Sequence, residues 1–186
     1  MASTLKVQNI AHTGGTTALT VDSSGRILQP VKPIFACHMD RAVGPSDFSA
    51  ITTIPFNAIE FQQGGTNLVI SGSGDTTGAT FTAPITGTYH FNLVVNTYQA
   101  AAGFNTIYLF IDSAKVNDKD GNASDEMTYR SLDSSGAQES GLYHSLSGSH
   151  VIRLTANQTV KPRFLANGDA SCTIRTGSRF SGFLIG

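Results

Sequence analysis

The chain has 186 residues, a length typical of one domain or of one domain with an extension. Charged residues make up only 13% of it, and 12 Lys and Arg against 13 Asp and Glu give a net charge of -1. That balance argues against nucleic acid as the main partner, because binding to phosphates requires a basic surface. Gly, Ser and Thr supply about a third of the residues and aromatic residues another 9%, which favours an all-β protein with a sizeable core.

The sequence predicts neither a membrane span nor a signal peptide. No stretch reaches the 18 consecutive apolar residues of a membrane span, so we expect no membrane insertion. Residues 1–7 lack the apolar segment of a signal peptide, which predicts synthesis in a cytoplasm without secretion. Cys37 and Cys172 form no CxxC motif and no metal cluster. In a reducing compartment we expect two small buried thiols, and a bridge between them stays open for a protein found outside a cell.

The first thirty residues consist of short extended pieces between turn signals. Strands are predicted at 17–21 and 26–28, and turns at 12–15 and 22–25. A segment this poor in large apolar side chains cannot bury a core of its own. We therefore predict an N-terminal attachment or stalk segment over residues 1–32, extended or irregular, which packs on copies of itself or on a larger assembly. One domain follows over residues 33–186.

From residue 34 onward the predicted strands are longer and the turns more regular. Tyr89, Phe91, Leu93 and Val95 alternate with other residues, which predicts a strand with one buried face. Further strands are predicted at 54–61, 106–111, 126–132, 141–147, 150–155, 160–166 and 179–185. No window of helical length has a helical period. Eight to ten strands with short loops over about 150 residues predict an all-β fold, a jelly-roll β-sandwich.

Catalytic patterns are weak throughout. The glycines at 72, 74 and 78 lack the spacing of a dinucleotide fingerprint, and the five histidines are scattered. His144 and His150 are able to meet across a hairpin near Asp133 or Glu139, but exposed strand histidines are far commoner than catalytic triads. We therefore predict a protein that is not an enzyme, with no catalytic and no cofactor-binding residues.

One loop gathers four acidic residues as weak candidate metal ligands: Asp118, Asp120, Asp125 and Glu126. Its first half fits a calcium loop of the EF-hand type, but Ala123 stands where that loop requires Gly and Tyr129 where it requires Glu. The EF-hand is thereby excluded. An irregular calcium site is the weaker alternative to a polar hairpin turn with Asp-Gly at its tip, so we predict no cofactor.

Three motifs carry a family resemblance. Residues 81–91 read Phe-Thr-Ala-Pro-Ile-Thr-Gly-Thr-Tyr-His-Phe, residues 54–57 read Ile-Pro-Phe-Asn, and residues 180–185 read Phe-Ser-Gly-Phe-Leu-Ile. Taken in chain order, with 54–57 first and 180–185 last, the three motifs resemble the C1q-like globular domain over about residues 34 to 186. The resemblance implies a ten-stranded jelly roll that assembles as a compact homotrimer and recognises ligands on its outer loops. We expect the space between the two sheets to be filled by Phe81, Tyr89, Phe91, Phe180 and Phe183.

The stretch 106–111 supports the trimer expectation separately. Tyr108 and Phe110 alternate with Ile107, Leu109 and Ile111, so the strand is apolar on both faces. We expect one of these faces to need cover beyond the sandwich core, which threefold packing provides.

The N-terminal segment carries a second resemblance. Residues 5–10, Leu-Lys-Val-Gln-Asn-Ile, and the Gly- and Thr-rich residues 14–26 resemble N-terminal stretches of appendage proteins from tailed phages, cyanophages and other marine phages especially. Together the resemblances imply a non-enzymatic virion structural protein, a short trimeric tail fibre or a fibre on the capsid head. Its N-terminal segment binds other virion proteins, and its C1q-like head serves host attachment by adhering to a surface glycan or protein.

A different class of function is the alternative. A soluble C1q/TNF-like or lectin-like trimeric binding module of cellular origin has the same head, and the lack of a signal peptide counts against it. In either case the polar loops at 71–78, 100–105, 115–125 and 134–140 are the candidate contact regions.

Overall fold

The computed structural model describes residues 7–29, 31–46, 48–72, 78–99, 104–112, 114–115, 126–131, 142–167 and 171–186. Over these ranges the chain forms strands and turns and no helix, hence none that is long and apolar enough to cross a membrane. The strands in these ranges are, in chain order, β1 (Asn9–Ala11), β2 (Thr17–Val21), β3 (Ile27–Leu28), β4 (Ile34–His38), β5 (Val43–Ser46), β6 (Thr52–Thr53), β7 (Ala58–Gln63), β8 (Leu68–Ser71), β9 (Gly78–Thr82), β10 (Gly87–Gln99), β11 (Phe104–Ile111), β12 (Ala114–Lys115), β13 (Glu126–Ser131), β14 (Leu142–Leu154), β15 (Thr159–Asn167), β16 (Cys172–Ile174) and β17 (Arg179–Leu184).

The first three strands form a separate antiparallel sheet in the order β1-β2-β3, called here the N-terminal sheet. Its turns follow from local chemistry, since Gly15 and Gly25 adopt the positive φ that tight turns require. Asp22 accepts hydrogen bonds from the backbone amides of Ser24 and Arg26, and its carboxylate lies 2.6 Å from the Arg26 guanidinium. The Arg26 amide and then its guanidinium hold the pKa of Asp22 below its usual value. The predicted turns at 12–15 and 22–25 are confirmed.

The remaining strands form two seven-stranded sheets. In the front sheet the order is β5-β16-β10-β17-β4-β7, and β14 pairs with β10 along its full length. In the back sheet the order is β12-β11-β15-β9-β8, with β13 paired to β11 and β6 to β15. Most neighbours in each sheet come from distant parts of the chain, as in a jelly roll. The predicted all-β jelly-roll sandwich is confirmed.

The core between the sheets is a cluster of aromatic rings. Phe35 stacks on Phe81 with ring centroids 4.8 Å apart and meets Phe180 edge-on at 5.0 Å. Phe91 lies 5.6 Å from Phe81 and 6.0 Å from Phe180. Gly182 makes room for this cluster, because a Cβ there would lie 2.6 Å from Phe91 and 2.9 Å from Phe35. Rings at these separations contribute beyond their burial alone.

Strand β10 bears out the predicted alternation. Tyr89, Phe91, Leu93 and Val95 are fully buried, as the pattern requires. The predicted pair of strands at 141–147 and 150–155 is wrong, because one continuous strand, β14, runs through the Ser-Gly-Ser between them. Pairing with all of β10 supplies enough hydrogen bonds to override the local turn signal. His144 and His150 therefore lie on one strand and do not meet across a hairpin.

Candidate subunit interface

The outer face of the front sheet is built by the residues that alternate with the core. On β10 this face begins with His90, which the register places beside Phe183 on β17 and Val151 on β14. Phe183 in turn pairs with Ile34 on β4. One row of side chains from four strands therefore lies on the side of the sheet that faces away from the core.

Three of the four side chains in this row are apolar, and two of these are exposed in a single chain. Phe183 is 39% exposed and Val151 55%, and Phe61, opposite Ala36 in the next row, is 48% exposed. The His90 and Phe183 rings lie 5.1 Å apart. We call Ile34, Phe61, His90, Val151 and Phe183 the outer apolar face. Single exposed apolar residues need no explanation, but a contiguous group of them marks an interaction surface.

A charged group lies next to the outer apolar face. The Arg179 guanidinium contacts the Glu60 carboxylate at 2.8 Å, and His38 Nδ1 lies 4.0 Å from the same carboxylate oxygen. These side chains are partly exposed, so the pair contributes about 0–1 kcal/mol to folding. Charges at the edge of an apolar surface set partner specificity and orientation more than affinity.

An aromatic pair lies further along the same face. The register places Tyr98 opposite Tyr143, and their ring centroids are 5.2 Å apart. The Arg175 guanidinium lies 4.7 Å from the centroid of the exposed Tyr143 ring. Cation–π contacts of this kind stabilise by about 0.5–1 kcal/mol at exposed sites. Aromatic side chains and Arg are the types enriched in protein interfaces.

Solved structures share this architecture. The globular domain of zebrafish complement 1qA aligns with TM-score 0.51 and 16% identity, over 83% of this chain and 98% of that one. The Eiger TNF of S. frugiperda aligns with TM-score 0.54 and 12% identity, over 84% and 92%. Murine APRIL aligns with TM-score 0.50 and 11% identity, over 83% and 99%.

The chain has a C1q/TNF-like jelly-roll fold. At these identities the likeness concerns the fold alone. A scan of protein-family models and a search of curated proteins gave no match. The fold expected from the C1q-like motifs is confirmed.

Two expectations about the apolar residues of the C1q/TNF-like domain are wrong. Phe183 does not fill the space between the sheets, because Phe180 and Gly182 face the core and the next residue along the strand points outward. Tyr108 does not need cover from a neighbouring subunit, since it is already buried in a single chain. Phe110 is half-buried, with the Arg163 guanidinium 5.5 Å from its ring centroid. Among the described residues of the two head sheets, most of the exposed large apolar side chains lie on the front sheet, and Val69 on β8 is the exception at 49% exposed.

The candidate metal ligands fall largely outside the described residues. Asp118, Asp120 and Asp125 are not among them, and Glu126 is described only as the first residue of β13. Within the described ranges, no group of three His, Cys, Asp or Glu side chains is placed to hold a metal ion. The contact loops 100–105, 115–125 and 134–140 also lie largely outside these ranges, as does most of 71–78.

Calcium is expected to leave the stability of the protein unchanged. A solvated acidic turn binds no ion, whereas a site with calcium at a hundredfold excess over Kd would stabilise by about 2.7 kcal/mol. Melting temperatures measured in calcium and in chelator should agree within a few degrees. A larger shift that disappears in Asp120→Ala would instead establish a calcium site in this loop.

The two cysteines are structural. Cys37 and Cys172 are not bridged to each other, and both are fully buried, as expected of two small buried thiols. Burial raises the pKa of Cys37 to about 12, against the lowering effect of a hydrogen bond with the Phe180 backbone. The thiol therefore stays protonated at neutral pH, which makes it a poor nucleophile.

Proposed function

We propose that this protein is a non-enzymatic structural protein that assembles as a homotrimer through the front sheet. The outer apolar face carries the proposal, because three of its side chains, Phe61, Val151 and Phe183, are between 39% and 55% exposed in a single chain. Burying such a surface between copies is favourable at about 25 cal/mol per Å² of apolar area. The C1q-like resemblance of the sequence, which implies a compact homotrimer, supports three copies over two.

We further propose that the trimer is a short tail fibre or capsid fibre of a tailed phage, located in the virion and adhering to a host surface glycan or protein. The resemblance of residues 5–26 to phage appendage proteins supports this role. A second support is that none of the described residues 7–29 is buried, so the N-terminal sheet has no core of its own. A sheet of this kind suits attachment to other virion proteins.

Deleting residues 2–30 is expected to leave the head folded and trimeric and to abolish its incorporation into virions. Among the described residues, the deletion removes one hydrogen bond to the head, from the Gln63 amide to the Gln29 carbonyl, and none of the buried core. Melting temperature and mass test the first expectation. Protein in purified phage particles, detected with an antibody against the head, tests the second.

The outcomes of the deletion separate the parts of the proposal. If the truncated head fails to fold, the domain boundary near residue 32 is wrong. If it folds and still enters particles, the attachment role of the N-terminal segment is wrong. The matched control is the full-length chain with Leu28→Ser, which alters one exposed side chain of the same segment and is expected to enter particles normally.

A further inference from the structure

The N-terminal sheet has one apolar face. Pairing of β1 with β2 sets Ile10 opposite Leu19, and pairing of β2 with β3 sets Ile27 opposite Val21. Leu19 and Val21 are two residues apart on one strand, so all four side chains lie on the same side of the sheet. An antiparallel sheet with apolar side chains gathered on one side is typical of a sheet that buries that side against a partner.

The opposite face of the sheet is mixed. It carries Asn9 and Thr20, whose side chains share a hydrogen bond of 3.0 Å, and it carries the exposed Leu28. Association of copies would therefore favour the four-residue apolar face over this one.

A single chain covers the apolar face only in part. Leu19 and Val21 are half-buried, but Ile10 is 50% exposed and Ile27 67%. An open groove of about 400 Å³ lies between the N-terminal sheet and the head. It is lined mainly by apolar residues, such as Leu19 of the sheet and Ile85 and Ile185 of the head. The groove leaves room for side chains from another chain.

Charge does not oppose the association of identical sheets. Asp22 and Arg26 are the acidic and basic side chains of residues 7–29, and they form an ion pair with each other. Asp22 and Arg26 therefore leave copies of this sheet with no net charge from their carboxylates and guanidinium groups to repel one another. A charged partner would find no complementary field here.

The head brings the copies of the sheet together. The chain enters the head at β4, whose first residue Ile34 lies on the outer apolar face, and Leu184 of β17 donates its amide to the Pro33 carbonyl at 3.0 Å. The connection is thus fixed to the sheet that faces the neighbouring copies in the proposed trimer. Three N-terminal sheets then start side by side.

We infer that the apolar face of the N-terminal sheet is an interface between copies of this chain, and that three such sheets pack on one another as a collar beneath the head. The inference rests on the proposed trimer. A stable interface between free proteins buries about 800 Å² per partner, more than this small sheet offers. The three sheets are tethered to one assembled head, and short linkers of this kind give each sheet an effective concentration of about millimolar for the others. At that concentration a smaller interface is enough to hold the sheets together.

Cross-linking of adjacent cysteine variants tests the collar. Ile27→Cys and Leu28→Cys differ by one residue and face opposite sides of β3, and Leu28 at 48% is also exposed. With a short bismaleimide on the full-length protein, Ile27→Cys should give covalent dimers about tenfold faster than Leu28→Cys, since tethering brings only the apolar faces together. The buried native cysteines provide a low background. Equal rates would overturn the inference.

A second pair of variants gives an independent readout. Ile27→Asp should make the N-terminal segment more sensitive to limited proteolysis while the head keeps its trimer mass, and Leu28→Asp should not.

If Ile27→Cys links instead to another virion protein in phage particles, the face belongs to that protein and the inference is wrong. A monomeric mass for the unmodified protein overturns the proposed trimer and the collar together. A trimeric mass without cross-linking of the Ile27→Cys variant overturns the collar alone.

Discussion

Replacing Phe91 by alanine is expected to lower the free energy of unfolding by about 3–5 kcal/mol. Phe91 is fully buried in β10 and contacts rings from three other strands, among them Phe35, Phe81 and Phe180. Its removal leaves a cavity that stiff aromatic neighbours cannot close. Domains of this kind are stable by only about 5–15 kcal/mol, so the loss is a large share of the total.

Urea unfolding followed by circular dichroism measures this loss, at one protein concentration for all variants. The control is Val69→Ala, which shortens an exposed side chain on β8 and is expected to cost about 0.5 kcal/mol or less. A loss below about 1 kcal/mol for Phe91→Ala would show that the aromatic cluster is not the centre of the core.

Val151→Asp is expected to convert the trimer to a monomer that is still folded. Val151 lies on the outer apolar face, and in the trimer a carboxylate there would lose its hydration in all three copies. In a single chain the same carboxylate is solvated, so the domain itself should lose little stability. Light scattering gives the mass and circular dichroism the fold.

The matched control is Val69→Asp. Val69 is 49% exposed, close to Val151, but it lies on β8 of the back sheet. It should remain trimeric. Dissociation by both variants would point to a nonspecific effect of charge, and dissociation by Val69→Asp alone would move the interface to the back sheet.

The fold was largely predictable because local pattern and motif agree along the long strands. Alternation in β10 indicated its buried face, and the Gly-x-Tyr-x-Phe and Phe-x-Gly-Phe motifs indicated the jelly roll. Where a local turn motif conflicts with long-range strand pairing, prediction from local sequence gives the wrong strand boundaries. The Ser-Gly-Ser in β14 predicts a turn, but thirteen residues paired with β10 keep the strand continuous.

The candidate interface was harder to predict because it depends on registers between distant strands. Ile34, Phe183 and Val151 lie in one row only because β4, β17, β10 and β14 pair in this order, with His90 of β10 between Phe183 and Val151. Alternation along β17 places Phe180 and Phe183 on opposite faces of the strand, so only one of them can fill the core, but the sequence of this strand does not tell which one is buried. In the N-terminal segment the strand at 17–21 and the turns at 12–15 and 22–25 were predicted from local sequence, but the pairing that brings Ile10 and Ile27 to one face was not.

The mass of the full-length protein in solution tests the central claim most directly. Multi-angle light scattering during gel filtration, at micromolar concentration and physiological salt, should give three times the chain mass of 19.6 kDa. The value should hold on dilution, as expected for a front-sheet interface of standard size. A mass of 19.6 kDa under these conditions would contradict the account.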